Sequence, residues 1–320
     1  MKNLYVSDEQ IADLVQKITN NDRSVVAELL NQLENDFPAD ERIHFLRHAH
    51  RASIGQIAEA TDDLWSCMDI KPQDTLFLES ISDLLITKKV DMPKKPHNLQ
   101  LTSGERQTAS AVEKIRSDHT ARYKLAATLL QDKHKSCSNL KGLDLFCGNG
   151  YGSRIIHDQT GARMLGIDGS MDAVTLANQS YGNHRTIFLN HYFPFEVQEK
   201  SFDFTVCYES IEHVEDYAGL LAQAIRASRG SVFISVPSEE NLPFSKHEKF
   251  FKFHHRHFTV NEILSLCNQF SSHEVKMIYG QSVYEIKHDK IAGLIPQEKM
   301  YMKPTFTESQ FHILHLEPKI

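Results

Sequence analysis

Across residues 7–90, apolar positions recur at the three- and four-residue spacing of helices that bury one face, and no glycine-rich loop interrupts them. This predicts an all-helical region. Ser7 with Gln10 makes a capping-box start, after which Ile11, Leu14, Val15 and Ile18 share a face. Val25, Leu29, Leu30 and Leu33 repeat the pattern as far as Phe37-Pro38. From Gly55 to Leu85 two more apolar stretches flank Pro72 and Asp74, as in a helical hairpin. Two prolines and two lysines in Asp91-Met-Pro93-Lys-Lys-Pro96-His-Asn98 then break the periodicity, which predicts a boundary near residue 97. A long helix is expected within Leu99 to Gln131.

From about residue 140 to Pro237 short apolar runs alternate with helical stretches. The expected strands end at Leu145, Asp168, Asn190, Val206 and Pro237. Such alternation predicts a doubly wound α/β unit with a mostly parallel sheet, right-handed crossovers and ligands at the carboxyl ends of the strands. The expected domains are therefore residues 1–97 and 98–320, with the α/β core at about 140–285. Thr259 and Glu262 signal a helix over Ile263 to Cys267, and Ser282 to Ile286 is the clearest closing strand.

The run Leu143-Asp-Leu-Phe-Cys-Gly-Asn-Gly-Tyr-Gly152 is where chemistry enters. Gly148, Gly150 and Gly152 allow positive φ and close approach of a ligand to the backbone. Helical spacing resumes at Ser153, giving the strand, glycine loop and helix order that a nucleotide-type site requires. Asp168 ends the next strand, where a carboxylate can accept both hydroxyls of a ribose diol. The glycine spacing Asp-x-x-x-Gly-x-Gly-x-Gly departs from the Gly-x-Gly-x-x-Gly of dinucleotide loops, which seats a pyrophosphate.

At these residues the chain resembles the class I S-adenosylmethionine-dependent methyltransferases. Ser201 to Val206 looks like that family's fourth strand, Glu209-Ser-Ile-Glu212-His213-Val214 like its common sequel, and Gly230 to Pro237 like its fifth strand. His119-Thr-Ala-Arg122-Tyr123 is similar to a helix that precedes the glycine loop in a small-molecule and polysaccharide-associated subgroup. The resemblance spans roughly residues 115–285. It implies a Rossmann-like fold, S-adenosyl-L-methionine as cofactor, and a small-molecule or glycan acceptor. The implied cofactor-binding residues are Tyr123, Asp144, Phe146, Gly148, Asn149, Gly150, Gly152, Asp168, Gly169, Ser170, Asn190, His191 and Glu209. Asn190 stands where an acid often meets the adenine amino group, and Tyr192 or Phe193 could cover the adenine face or sit in the core. Residues 55–85 resemble one tetratricopeptide-like hairpin, so residues 1–97 are either a partner-docking module or a bundle packed beside the catalytic domain.

Methyl transfer asks mainly for alignment and the handling of one proton. His213 beside Glu212 suits that work as a candidate catalytic pair, or else serves as a structural turn residue. Lys246 to Thr259 interleaves basic residues and histidines with aromatics, either to grip an oxyanion or stacked ring, or to form a lid. Glu209, Glu212, His213 and a later histidine such as His257 could hold a divalent metal, a pattern similar to metal-dependent methyltransferases acting on RNA 2′-hydroxyls. The later segment does not match that family, so no metal is assigned. A scaffold that has lost catalysis is the non-enzymatic alternative.

Composition narrows the setting. With 320 residues, 41% of them hydrophobic, the chain can fill two cores. A net charge of −7 argues against a nucleic-acid partner. No apolar run approaches the ~18 residues of a membrane span. Five dispersed cysteines without a Cys-x-x-Cys pair fit reduced thiols, so a cytoplasmic enzyme is expected.

Overall fold

A computed structural model describes residues 5–20, 23–93 and 107–319. The chain forms two compact units, residues 1–87 with 183–185, and residues 88–182 with 186–320. The expected boundary near residue 97, with Pro96, His97 and Asn98, lies outside the described residues.

The first unit is helical, with α1 (Asp8–Thr19), α2 (Arg23–Asp36), α3 (Glu41–Ser53), α4 (Ile57–Ile70) and α5 (Thr75–Leu85). The capping box of Ser7 and Gln10 forms as expected, and Asp40 and Asp74 cap α3 and α5 by accepting backbone N–H bonds. Leu14, Leu30 and Leu33 join Val6, Val26 and Ile43 in one core. Val15 and Val25, expected on the buried faces, are instead 44% and 47% exposed. Each is displaced by one residue, about 100° of helix, from a buried position, so it falls at the margin of the apolar stripe. Asp63 is buried in this unit and is compensated by Arg47 Nε at 2.7 Å and Arg51 at 2.9 Å.

The second unit begins with the long helix expected within Leu99 to Gln131, which among the described residues starts at Ser117. Leu99 to Arg106 lie outside the described residues, and residues 107–116 carry only a short 3₁₀ turn before α6 (Ser117–Lys133). Tertiary hydrogen bonds hold the leading segment out of the helix. The Ala109 carbonyl accepts from Asn149 Nδ2 at 2.8 Å and from the Tyr181 hydroxyl at 2.7 Å.

A seven-stranded sheet follows, made of β1 (Lys141–Leu145), β2 (Arg163–Asp168), β3 (Thr186–Asn190), β4 (Phe202–Cys207), β5 (Ser228–Pro237), β6 (His273–Gln281) and β7 (Phe311–Pro318). Its order is β3-β2-β1-β4-β5-β7-β6. Pairs among β1 to β5 are parallel, whereas β7 is antiparallel to both β5 and β6. The crossover helices are α7 (Tyr151–Thr160), α8 (Met171–Ser180) and α9 (Tyr217–Ala227). This is the expected Rossmann-like arrangement. The order reverses between β1 and β4, so their connections diverge and leave a crevice at the carboxyl ends.

After β5 come the short α10 (Phe244–His247) and α11 (Val260–Cys267), the latter started by the expected capping box of Thr259 and Glu262. The expected strand at Ser282 to Ile286 lies instead in a small hairpin, Tyr284–Lys287 with Lys290–Leu294. The sheet is closed by β6 and β7, and β7 is buried because strands cover both of its edges. No helix among the described residues is long and apolar enough to cross a membrane.

Candidate active site

The glycine loop builds one wall of the crevice. Phe146, Gly148 and Gly150 have φ of 59°, 57° and 85°, so the chain bends sharply between β1 and α7. A Cβ on Gly150 would stand 2.4 Å from the Phe188 ring and one on Gly152 2.0 Å from the Tyr123 ring. A Cβ on Gly148 would meet nothing within 4 Å. Two of the glycines are therefore demanded by packing, while the first leaves backbone open to a ligand. The Asp168 carboxylate braces the loop, accepting from the Gly148 N–H at 3.0 Å and the Ser170 N–H at 2.8 Å.

Around this loop lies a cleft of about 160 Å³. Of the sequence-predicted residues, Tyr123, Phe146, Gly148, Asp168, Gly169, Glu209 and His213 line it, as do Tyr192 and Phe193. Other predicted residues stand behind the wall. Asn149 holds Ala109, Ser170 caps α8, and Asn190 Nδ2 donates to the Asp168 carbonyl at 2.9 Å, with the His191 N–H on the same oxygen at 3.2 Å. Gly150 and Gly152 serve packing, and Glu212 is fully buried.

Asp144 is also fully buried, where it accepts from Ser153 Oγ at 2.7 Å and the Tyr123 hydroxyl at 3.4 Å. Burial outweighs these bonds and pushes its carboxyl up to about 7. Because the folded protein then holds the proton more tightly than the unfolded chain, this group costs stability as pH rises from the unfolded pKa near 3.8 toward 7. Wild type should lose roughly 2 kcal/mol relative to Asp144→Asn between about pH 5 and 7. Denaturant unfolding followed by circular dichroism at several pH values checks this. Parallel stability profiles for the two proteins would show an ordinary carboxyl.

The facing wall comes from α6, whose His119, Arg122 and Tyr123 lie at the i, i+3, i+4 spacing of one helix face. The Arg122 guanidinium is 1% exposed. Its Nε donates to Gln281 Oε1 at 2.8 Å, it lies 4.6 Å over the Phe311 ring, and it pairs with Glu209 at 3.1 Å and Asp118 at 3.8 Å. Arg116 also grips Asp118, and His119 Nδ1 meets the Tyr151 hydroxyl at 3.1 Å. Burial drives His119 down to about 3, so its ring is neutral. Sequence reasoning did not single out His119, Arg122, Tyr151 or Tyr208 as site residues, although all four line the cleft. The helical spacing within His119 to Tyr123 was the signal that could have found two of them.

At the mouth of β4, Glu209 has φ of 49° and its Oε1 accepts from Ser235 Oγ at 2.8 Å. The chain then turns through Ile211–His213. His213 Nδ1 lies 3.1 Å from the Phe253 carbonyl, which can only accept, so this nitrogen carries a proton and in the neutral ring the lone pair is on Nε2. The His254 and His213 rings meet edge to face with centroids 4.5 Å apart. The segment Lys246 to Thr259 thus reaches the cleft edge through a histidine.

Residues 117–278, just over half of the chain, match the family model of a methyltransferase domain. No sequence among the curated proteins matches. Among solved structures, the chain is similar to a SAM-dependent methyltransferase of Thermotoga maritima, described as a possible histamine N-methyltransferase. The identity is 19%, with 63% of this chain and 92% of that chain covered and a TM-score of 0.44. It is also similar to magnesium protoporphyrin IX methyltransferase of Synechocystis PCC 6803 with bound SAH, at 15% identity over 63% of this chain and 84% of that chain, TM-score 0.45. A SAM-dependent methyltransferase of Mesorhizobium loti matches at 16% identity over 61% of this chain and 99% of that chain, TM-score 0.44.

Proposed function

We propose, from the premise that this chain belongs to the methyltransferase-domain family, that it transfers a methyl group from S-adenosylmethionine to an oxygen or nitrogen of a small polar or glycan-type acceptor. The observation that carries the reading is the pairing of open backbone at Gly148 with the Asp168 carboxylate on the cleft wall. The residues fit that cofactor. Asp168 and Gly169 suit a ribose diol, and Phe146, Tyr192 and Phe193 offer aromatic faces to an adenine. Glu209, held by Ser235 and Arg122, suits an ammonium group. Asp144 positions the loop from behind, together with Asn149, Gly150, Gly152 and Ser170, while Tyr123 reaches Asp144 from the facing wall, and Asn190 and His191 fix the end of β2.

When bound, the cofactor supplies a methyl group already activated on a sulfonium. The protein is left to align the acceptor and take one proton. His213 lines the cleft, and with its Nδ1 tied to Phe253 the Nε2 atom is the one that would accept that proton. Glu212 is fully buried next to it, and burial together with the charge of Glu209 holds its carboxyl well above the ordinary range. Five buried, unbridged cysteines support a reducing, cytoplasmic setting.

Calorimetry with S-adenosylmethionine and S-adenosylhomocysteine tests the reading. Micromolar binding of both is expected, followed by S-adenosylhomocysteine release in a screen of hydroxylated and amino acceptors. Failure of the folded wild type to bind either would leave a scaffold role in its place.

A further inference from the structure

Beside the cleft, Glu212, His213 and His254 each offer one ligand atom, and the three atoms lie within 4.8 Å of one another. The chemistry of the trio does not resemble an ordinary core contact. Glu212 is 0% exposed, and neither carboxylate oxygen makes a well-formed hydrogen bond, with only weak polar support from the backbone of Ser210 and Glu212 itself. A carboxylate left in that state costs several kcal/mol unless something positive joins it.

The histidines are oriented for such a joining. His257 Nδ1 lies 2.6 Å from the Leu242 carbonyl, so this nitrogen is the donor and Nε2 of His257 accepts. His254 Nδ1 lies 3.0 Å from that Nε2 and must therefore donate to it, which leaves the His254 lone pair on its own Nε2. His213 reaches the same tautomer through Phe253. Two imidazoles whose N–H groups are tied to acceptors behind them, with lone pairs on the other nitrogen, are arranged as histidine ligands are when a second layer orients them.

We propose that Glu212, His213 and His254 hold a divalent cation of the borderline class, such as Zn²⁺ or Co²⁺, on the wall of the cleft, with His257 positioning His254. Two nitrogens and one oxygen favour that class over Mg²⁺ or Ca²⁺, which prefer oxygen. Glu209, three residues before Glu212, is not part of the set because Ser235 and Arg122 hold its carboxylate. A cation here would act as a Lewis acid toward an acceptor hydroxyl, taking over from the His213 imidazole the task of raising its nucleophilicity. The site itself does not depend on the cofactor reading.

The full chain, freed of metal with chelator and carrying no histidine tag, is titrated with Co²⁺ while the visible d–d absorption is recorded, and Zn²⁺ is then added in competition. The expected result is one site of micromolar affinity or tighter with a tetrahedral-type spectrum that Zn²⁺ abolishes. Affinity should fall at least a hundredfold in Glu212→Gln and His254→Ala, and tenfold or more in His257→Phe. Glu212→Gln should also melt close to wild type without metal, since a neutral amide replaces a buried carboxyl that holds its proton, yet gain no thermal stability when Co²⁺ is added. Absence of a Co²⁺ spectrum in folded wild type would overturn the proposal. So would a spectrum and affinity unchanged in His254→Ala and Glu212→Gln, since binding would then belong to others of the eighteen histidines.

Discussion

Asp168→Ala is expected to weaken S-adenosylmethionine binding by about a hundredfold or more while the protein stays folded. Each hydrogen bond to an ionised carboxylate is worth roughly 1.5–3 kcal/mol, and a ribose diol would lose two of them. The same substitution removes the acceptor for the Gly148 and Ser170 N–H groups, so the glycine loop loses its brace to the end of β2. Both losses act on the same cleft. Asp168→Asn separates them in part, because it keeps one carbonyl acceptor and removes the charge, and it should fall between wild type and Ala. S-adenosylhomocysteine, which carries the same ribose, should lose affinity in parallel. Calorimetry on the folded variants checks all of this, and unaltered affinity in Asp168→Ala would remove the ribose assignment.

The second large effect is on stability. Arg122→Met should cost about 3–5 kcal/mol, the usual consequence of removing one partner from a buried charge network. Methionine replaces the packing over Phe311 but leaves Gln281 Oε1 without its donor and Glu209 without its cation. Gln281 also donates to the carbonyls of Asp118 and Met300, so the loss spreads from α6 to the end of β6. Asp118 keeps Arg116, which limits the damage at that end. The single tryptophan, Trp65, belongs to the helical unit, so unfolding should be followed by circular dichroism. A cost below about 1 kcal/mol would mean that water and Arg116 already compensate both carboxylates.

Much of the α/β unit was legible because its signals are local. Strand runs, the glycine loop, Asp168 at a strand end and the capping boxes of Ser7 and Thr259 depend on residues within a few positions of each other. The misreadings arose where local pattern met distant partners. The long helix expected within Leu99 to Gln131 is present, yet Asn149 and Tyr181 hold Ala109 before it in a loop, and the clearest closing strand pairs in a separate two-stranded hairpin instead of joining the main sheet.

What the sequence determined by itself was the alternating architecture and the freedom of the loop after β1 to bend, since glycine permits the positive φ that Gly148 and Gly150 adopt. What only the tertiary structure decided was which predicted residues face the cleft. Asp144 and Asn149 turned out to support the wall, while Arg122 crosses 159 positions to reach Gln281 and 87 to reach Glu209. His254, rather than His257, stands against His213, because the hydrogen bond to Leu242 draws His257 into a second layer. Backbone propensity is fixed by neighbours along the chain. A cleft is assembled from segments far apart in it, and burial, not spacing, sets the charge state of the groups it brings together.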